Sequence, residues 1–452
     1  MTMRSLWLVL ALLGLSSATA PRFERFCGRS DQGRSDRGLN CGSASDFEAF
    51  ASSGAGTFGA CSTTPPVAVY LGNTVALTHT RATPAQCTKG AAGGLRNTGI
   101  NDGDVLPLAI NEPRVEFDGE GYLGLKIEAA ASTINIQARP ICNAAYSDVG
   151  TPDCAADITT GPWGTTTMGR LTDNDGAAKE GRSQTVASTS ATRFTTFCYV
   201  KAGTAAEATI ILAGTGSATG DCTATITGLS TSTSSIIECT SPAAFAGTLT
   251  AVTVSILVGD AVGDQGTLFV EGCDVKPSAL YRTSLNDTGA AGITRAVDSA
   301  AFTLPSSLSS ANGLSWSASV QHPSGNGGGV WAGSIGLVQD ASNRTQLYRQ
   351  NTNVLTCDYV STAGTRSAGP VISAFVANQV YRQGCSYSGP GAASVITGYR
   401  DGVVTGASAA GLTGTIAITT IIPCALGAAA SAGPADGICS RIKAHPSPLG
   451  GL

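Results

Sequence analysis

Three aromatic positions and one acidic turn are the places where this chain's residue types point to chemistry. Trp163 stands in a turn between Pro162 and Gly164, Trp331 follows Gly327-Gly328-Gly329, and Tyr348 precedes Arg349. Sugar rings are held by aromatic faces together with a few polar groups that fix orientation, so Trp163, Trp331, Tyr348 and Arg349 form the candidate carbohydrate-binding set. The same rings can equally serve as core packing. Asp173 and Asp175, flanking Asn174, can offer carboxylate oxygens to calcium as a cofactor; an Asx turn explains the same spacing without a metal.

Catalytic patterns are missing. No G-x-S-x-G elbow, H-E-x-x-H helix, phosphate loop or dinucleotide fingerprint is present. A carboxylate pair flanking a glycosidic bond is the enzymatic chemistry left, and residues 294–452 contain no glutamate. The expectation is a protein that binds without catalysing.

The amino terminus decides how the cysteines are read. Met1–Arg4 carries a positive charge, Leu6–Leu15 is almost wholly apolar, and small residues follow through Ala20. That pattern predicts a secretory signal peptide, too short to span a bilayer, with cleavage after Ala18 because Pro21 disfavours a cut after Ala20. No later segment has the roughly 18 uninterrupted apolar residues of a spanning helix, so no stable membrane insertion is expected. All 14 cysteines lie beyond the signal, and an even number in an oxidising compartment suggests disulfides. Short loops favour Cys142 with Cys154, Cys222 with Cys239, Cys357 with Cys385, and Cys424 with Cys439. Zinc is disfavoured: there is no Cys-x-x-Cys, and His79, His322 and His445 are far apart in sequence.

Charged residues make up 13% of the 452, the net charge is -4, and there are 57 glycines. No basic stripe is available to neutralise phosphates, which argues against nucleic acid as a partner. Short alternating apolar segments divided by glycine and serine turns predict an all-β chain. Asp401-Gly402, set between alternating segments, is a hairpin signal in its own right. In RFTTFCYV, alternation places Phe194, Thr196, Cys198 and Val200 on one face and Thr195, Phe197 and Tyr199 on the other. Trp316 and Tyr381 fall within alternating strands and read as core. The stretch from Leu268 to Asp298 breaks at Pro277, passes Gly289 and Gly292, and restarts at Ile293, as a joint between two β-rich units would.

At LTHTRAT, EPRVEFDG and YLGLKIEAAASTINI the chain resembles the opening segment of modular phage tail and bacterial surface proteins. That family's pattern is Thr-Arg-Ala, then Pro-Arg, an Asp turn and Gly-Leu-x-Ile-Glu. Ala130-Ala131-Ser132 departs from the family's Arg-Thr. The resemblance continues through GPWGTTTMGRLTDND, where Trp163 replaces an Asp, through TRFTTFCYVKAGT, and through the joint ITRAVD. It implies two tandem β-sandwiches: a jelly roll of the carbohydrate-binding-module type, then a concanavalin A-like (laminin G-like) domain. The expected order is signal peptide 1–18, polar lead-in 19–60, β-rich opening segment 61–138, jelly roll 139–283, linker 284–293, concanavalin A-like sandwich 294–446 and tail 447–452. The function expected is an exported, non-catalytic carbohydrate-binding or adhesion protein whose partners are cell-surface or extracellular glycans. The alternative is a structural surface or virion protein that binds no sugar.

Overall fold

Alternation of apolar and polar residues gives strands throughout the computed structural model, which describes residues 47–49, 67–71, 73–82, 85–88, 105–108, 110–111, 113–117, 123–128, 131–189, 192–216, 220–245, 248–259, 261–277, 285, 288–295, 298–321, 332–349, 355–362, 364–368, 379–409, 414–424 and 437–448. The expected signal peptide lies outside these residues. Among the described residues the structure is all-β, the strand pairs are antiparallel, and there is no helix.

Two five-stranded sheets make the first sandwich. One runs Asp153–Thr160, Thr166–Asp173, Gly266–Pro277, Phe194–Ala202, Ser235–Thr240. The other runs Cys222–Ile226, Ala208–Thr215, Ala251–Val258, Gly181–Ala187, Ser147–Val149. Leu171, Phe194, Cys198, Val200, Ile210, Val254, Ile256 and Val270 fill the space between them. Phe194, Cys198 and Val200 point inward as alternation requires, and Phe197 and Tyr199 join a separate cluster on the opposite face. Every residue of Phe194–Ala202 is buried, so this sheet is covered on both sides. Pro277, with no amide to donate, ends the strand Gly266–Pro277.

The second sandwich is one continuous ladder folded on itself. Gly364–Ala368, Leu355–Ser361, Asn343–Arg349, Ala332–Asp340, Ala417–Pro423 and Ser299–Ser309 form one half. Gly437–His445, Leu314–Gln321, Val380–Tyr387, Val395–Arg400 and Val403–Ala409 form the other. The halves are joined through strands from far earlier in the chain. Asn73–Thr80 pairs with Ser299–Ser309, and Phe47–Ala49 pairs with Gly437–His445. Trp316, Tyr359, Tyr381, Tyr387, Phe302 and Ile421 pack the core. Asp401 and Gly402 carry φ of 51° and 80°, the left-handed pair that a tight two-residue hairpin requires.

Disulfides hold both sandwiches. Cys142–Cys154, Cys222–Cys239, Cys357–Cys385 and Cys424–Cys439 are present, and Cys198–Cys273 joins neighbouring strands across a separation of 75 residues. Cys222–Cys239 ties the two sheets of the first sandwich, and Cys357–Cys385 ties the two halves of the second.

Short sequence motifs dispersed over more than 200 residues meet at the joint. Arg81 lies 3.6 Å and Arg295 3.5 Å from Asp298, while Arg114 lies 2.8 Å and Arg295 3.5 Å from Glu128. The Glu128 amide donates to Asp298 Oδ2 at 2.9 Å, and the Asp298 amide to the Glu128 carbonyl at 3.0 Å. All five side chains are at most 3% exposed. Next to them, Ile293–Arg295 pairs with Ala131–Thr133, and Lys276 reaches Asp274 at 2.8 Å and Thr133 at 3.1 Å. A buried guanidinium or carboxylate is tolerated only when it is paired, so each motif residue needs the others in place.

Candidate functional site

On the second sandwich, strands Asn343–Arg349 and Leu355–Ser361 run side by side with Gln346 opposite Asp358 and Tyr348 opposite Thr356. Leu347, Cys357 and Tyr359 belong to the core, so period-two alternation puts Gln346, Tyr348, Thr356 and Asp358 together on the opposite face. There the Tyr348 hydroxyl donates to Asp358 Oδ2 at 2.6 Å, and Gln346 Nε2 stands 3.4 Å from the same oxygen. Asp358 Oδ1, Gln346 Oε1 and Thr356 Oγ1 are buried and meet no hydrogen-bond partner. Arg344 belongs to this patch too, with Nε likewise unmatched and its guanidinium turned to the Ala341 carbonyl.

Such a cluster has a definite chemical capacity. A buried acceptor left unmatched costs about 1–3 kcal/mol, so the patch favours whatever brings donors to it. Hydroxyl and ammonium groups are the donors that fit three oxygens on a rigid two-strand ladder.

Tyr348 acts here as a donor. A candidate as a stacking ring or as core packing, it lies within a strand, 4% exposed, with its hydroxyl donating to Asp358. Its part in the patch is to hold the carboxylate. Arg349 ends the same strand, and Trp331 lies outside the described residues.

Trp163 sits in the first sandwich, apart from Tyr348. Its ring is half-buried, edge-on to Tyr199 at 5.0 Å, with the Arg139 guanidinium 4.7 Å from its centroid. Arg139 is held in turn by Glu271 at 2.6 Å and Thr165 at 3.1 Å. Leu285, from the stretch between the sandwiches, packs into the same cluster with Phe197 and Ile236. Gly272, at φ 67°, lets the strand pass beneath the indole, where a Cβ would stand 3.0 Å from Trp163 Cη2.

Asp173 and Asp175 remain close to each other. Asp173, 2% exposed, accepts the Asp175 amide at 3.0 Å and the Glu180 amide at 3.0 Å, and burial raises its carboxyl above the ordinary aspartate value against those two bonds. Asp175 accepts the Ala177 amide at 2.8 Å, the geometry of an Asx turn. Among the described residues no group of three His, Cys, Asp or Glu is placed to hold a metal ion, and no helix is long and apolar enough to cross a membrane.

Asp358, Gln346 and Thr356 were not among the sequence candidates. In LTCDYVS an aspartate between two inward residues reads as an ordinary outward position. Its burial depends on what the fold places around it.

No protein-family model and no curated protein matches the chain. Among solved structures it is similar to a heptameric SAP-like pentraxin from Limulus polyphemus, at 14% identity and TM-score 0.27, over 33% of this chain and 70% of that one. It is also similar to the tandem CBM22-1-CBM22-2 domain of Paenibacillus barcinonensis Xyn10C, at 9% identity and TM-score 0.24, covering 70% and 98%. A third is the LG4-5 pair of the mouse laminin alpha1 chain, at 11% identity and TM-score 0.25, covering 60% and 88%. Likenesses at these scores carry no argument here.

Proposed function

We propose that the protein is an exported, non-catalytic carbohydrate-binding or adhesion protein, and that its second sandwich takes extracellular glycans at the Asp358 patch. The observation behind this reading is the group of three buried oxygens, on Asp358, Gln346 and Thr356, that no protein donor meets. A sugar supplies several hydroxyl donors at once and satisfies such a group without chemistry at any bond. Disulfides in both sandwiches suit an oxidising, extracellular setting.

A structural role, on a cell surface or a virion, is the competing reading, and the joint supports it. Motif residues there are spent on holding the opening segment to the second sandwich, as a rigid spacer would need.

A glycan-array screen of the oxidised mature protein, with and without calcium, tests the proposal. Saturable binding that Asp358→Asn abolishes while the fold persists is the expected result. A folded sample that binds nothing on the array moves the weight to the structural role.

A further inference from the structure

Seven carboxylates are buried among the described residues: Glu128, Asp173, Glu180, Glu271, Asp274, Asp298 and Asp358. Four of them have a cation within ion-pair distance. Arg114 serves Glu128 at 2.8 Å, Arg139 serves Glu271 at 2.6 Å, Lys276 serves Asp274 at 2.8 Å, and Arg295 serves Asp298 at 3.5 Å. Two more are met by backbone amides on both oxygens. Asp173 takes those of Asp175 and Glu180, and Glu180 takes those of Thr151 and Asn174.

Asp358 follows neither pattern. Only Oδ2 is engaged, by Tyr348 at 2.6 Å and Gln346 at 3.4 Å, and Oδ1 is buried and unmatched. Burial of a carboxylate without a paired cation is costly; among the described residues none stands within ion-pair distance of Asp358, and Arg344 on the same face turns its guanidinium to the Ala341 carbonyl. Gln346 Oε1 and Thr356 Oγ1 flank it as further acceptors on the same two strands.

Resting on the glycan reading above, we infer that the Asp358 patch selects amino sugars, with Oδ1 of Asp358 receiving the protonated amine of an unsubstituted hexosamine and Gln346 and Thr356 receiving neighbouring hydroxyls. An ammonium brings three donors and the missing positive charge to one point. Its hydrogen bonds to carboxylate are about twice as strong as neutral ones. An N-acetylated sugar brings one amide donor and no charge, and a neutral hexose brings hydroxyls alone.

Titration calorimetry of the full mature chain against oligomers of glucosamine, N-acetylglucosamine and glucose, matched in length, tests this. Glucosamine oligomers should bind at least about tenfold tighter at pH 6 than the other two, a difference of about 1.4 kcal/mol. The preference should shrink at pH 9, beyond the roughly 7.7–8.0 of an α-amino group, which the hexosamine amine resembles in having electron-withdrawing oxygens close by. Asp358→Asn should abolish binding of the glucosamine oligomer and the preference with it, and Thr356→Val should weaken all binding while leaving the preference in place. Equal binding of the three oligomers, or a preference for the acetylated one, overturns the amino-sugar inference and leaves the glycan reading standing. Binding that a chelator abolishes points to a bridging cation and also overturns it. Failure of all three oligomers together with a blank glycan array removes both readings. Were Asp358→Asn to misfold, the pH comparison and Thr356→Val would still decide.

Discussion

Two buried polar clusters in this molecule each hold carboxylates and differ in how their charges are met. At the joint, Glu128 and Asp298 are each met by two arginines and exchange backbone amides, all at most 3% exposed. At the Asp358 patch one carboxylate of similar burial has a tyrosine and an amide on one oxygen and nothing on the other. Carboxylates met by cations fix geometry, whereas a buried carboxylate oxygen left unmatched is a cost the fold retains. The first cluster therefore reads as architecture and the second as a place for a ligand.

Substitution should separate the two, and the largest effect is expected at the joint. Glu128→Ala removes the carboxylate that Arg114 meets at 2.8 Å and one of the two that Arg295 meets, and a loss of about 3–5 kcal/mol is expected, as for other broken buried pairs. Chemical denaturation measures it, and a loss under about 1 kcal/mol would show that the ion pairs of the joint do not hold the fold.

Removing one crosslink should cost somewhat less. The paired change Cys424→Ala with Cys439→Ala opens a link spanning 15 residues, and about 2–4 kcal/mol should be lost in the same denaturation experiment. Glycan binding by the fraction still folded should persist, because neither cysteine lies on the two strands of the patch.

Trp163→Ala comes third. The ring is half-buried and partnered by Arg139, Tyr199 and Leu285, so a loss of about 2 kcal/mol, below the 3–5 of a fully buried tryptophan, is expected. Binding at the Asp358 patch should be unaffected. Abolished binding would instead make Trp163 a ligand contact and move the site to the first sandwich.

The smallest effect concerns pH. His79 is 9% exposed beside Arg81 and Asp298, with Nδ1 3.4 Å from the Asn111 carbonyl and Nε2 unmatched. Burial lowers its pKa, against the attraction of Asp298, so the unfolded chain takes up a proton before the folded one does. Stability should therefore fall as pH drops below about 6.5, the ordinary histidine value. Asp298 has the opposite sign: burial raises its carboxyl, so the folded state is favoured as it gains its proton at lower pH. His79→Gln should flatten the melting-temperature slope between pH 7 and 5.5. An unchanged slope would remove His79 from the account.

What could be read from the chain follows the range of each interaction. Strand faces, hairpins and the four short disulfide loops depend on neighbours in sequence, and Phe194 and Val200 turn inward with Phe197 and Tyr199 outward as alternation requires. Cys198–Cys273 was not foreseen, since proximity in sequence was the guide and 75 residues separate the two. Arg81, Arg114, Glu128, Arg295 and Asp298 stood out as motif residues, but their meeting depends on pairings such as Asn73–Thr80 with Ser299–Ser309, which local pattern does not specify. Tyr348 was chosen as a ring and acts through its hydroxyl, and the carboxylate it holds carried no signal of its own.

The central claim is that Asp358 is retained for a ligand and Glu128 for the fold. Measuring glycan binding and melting temperature side by side for Asp358→Asn and Glu128→Gln tests it most directly. The account predicts that Asp358→Asn loses binding with its melting temperature unchanged or raised, while Glu128→Gln melts lower and, where folded, still binds. An Asp358→Asn protein that melts markedly lower and binds as before would contradict it.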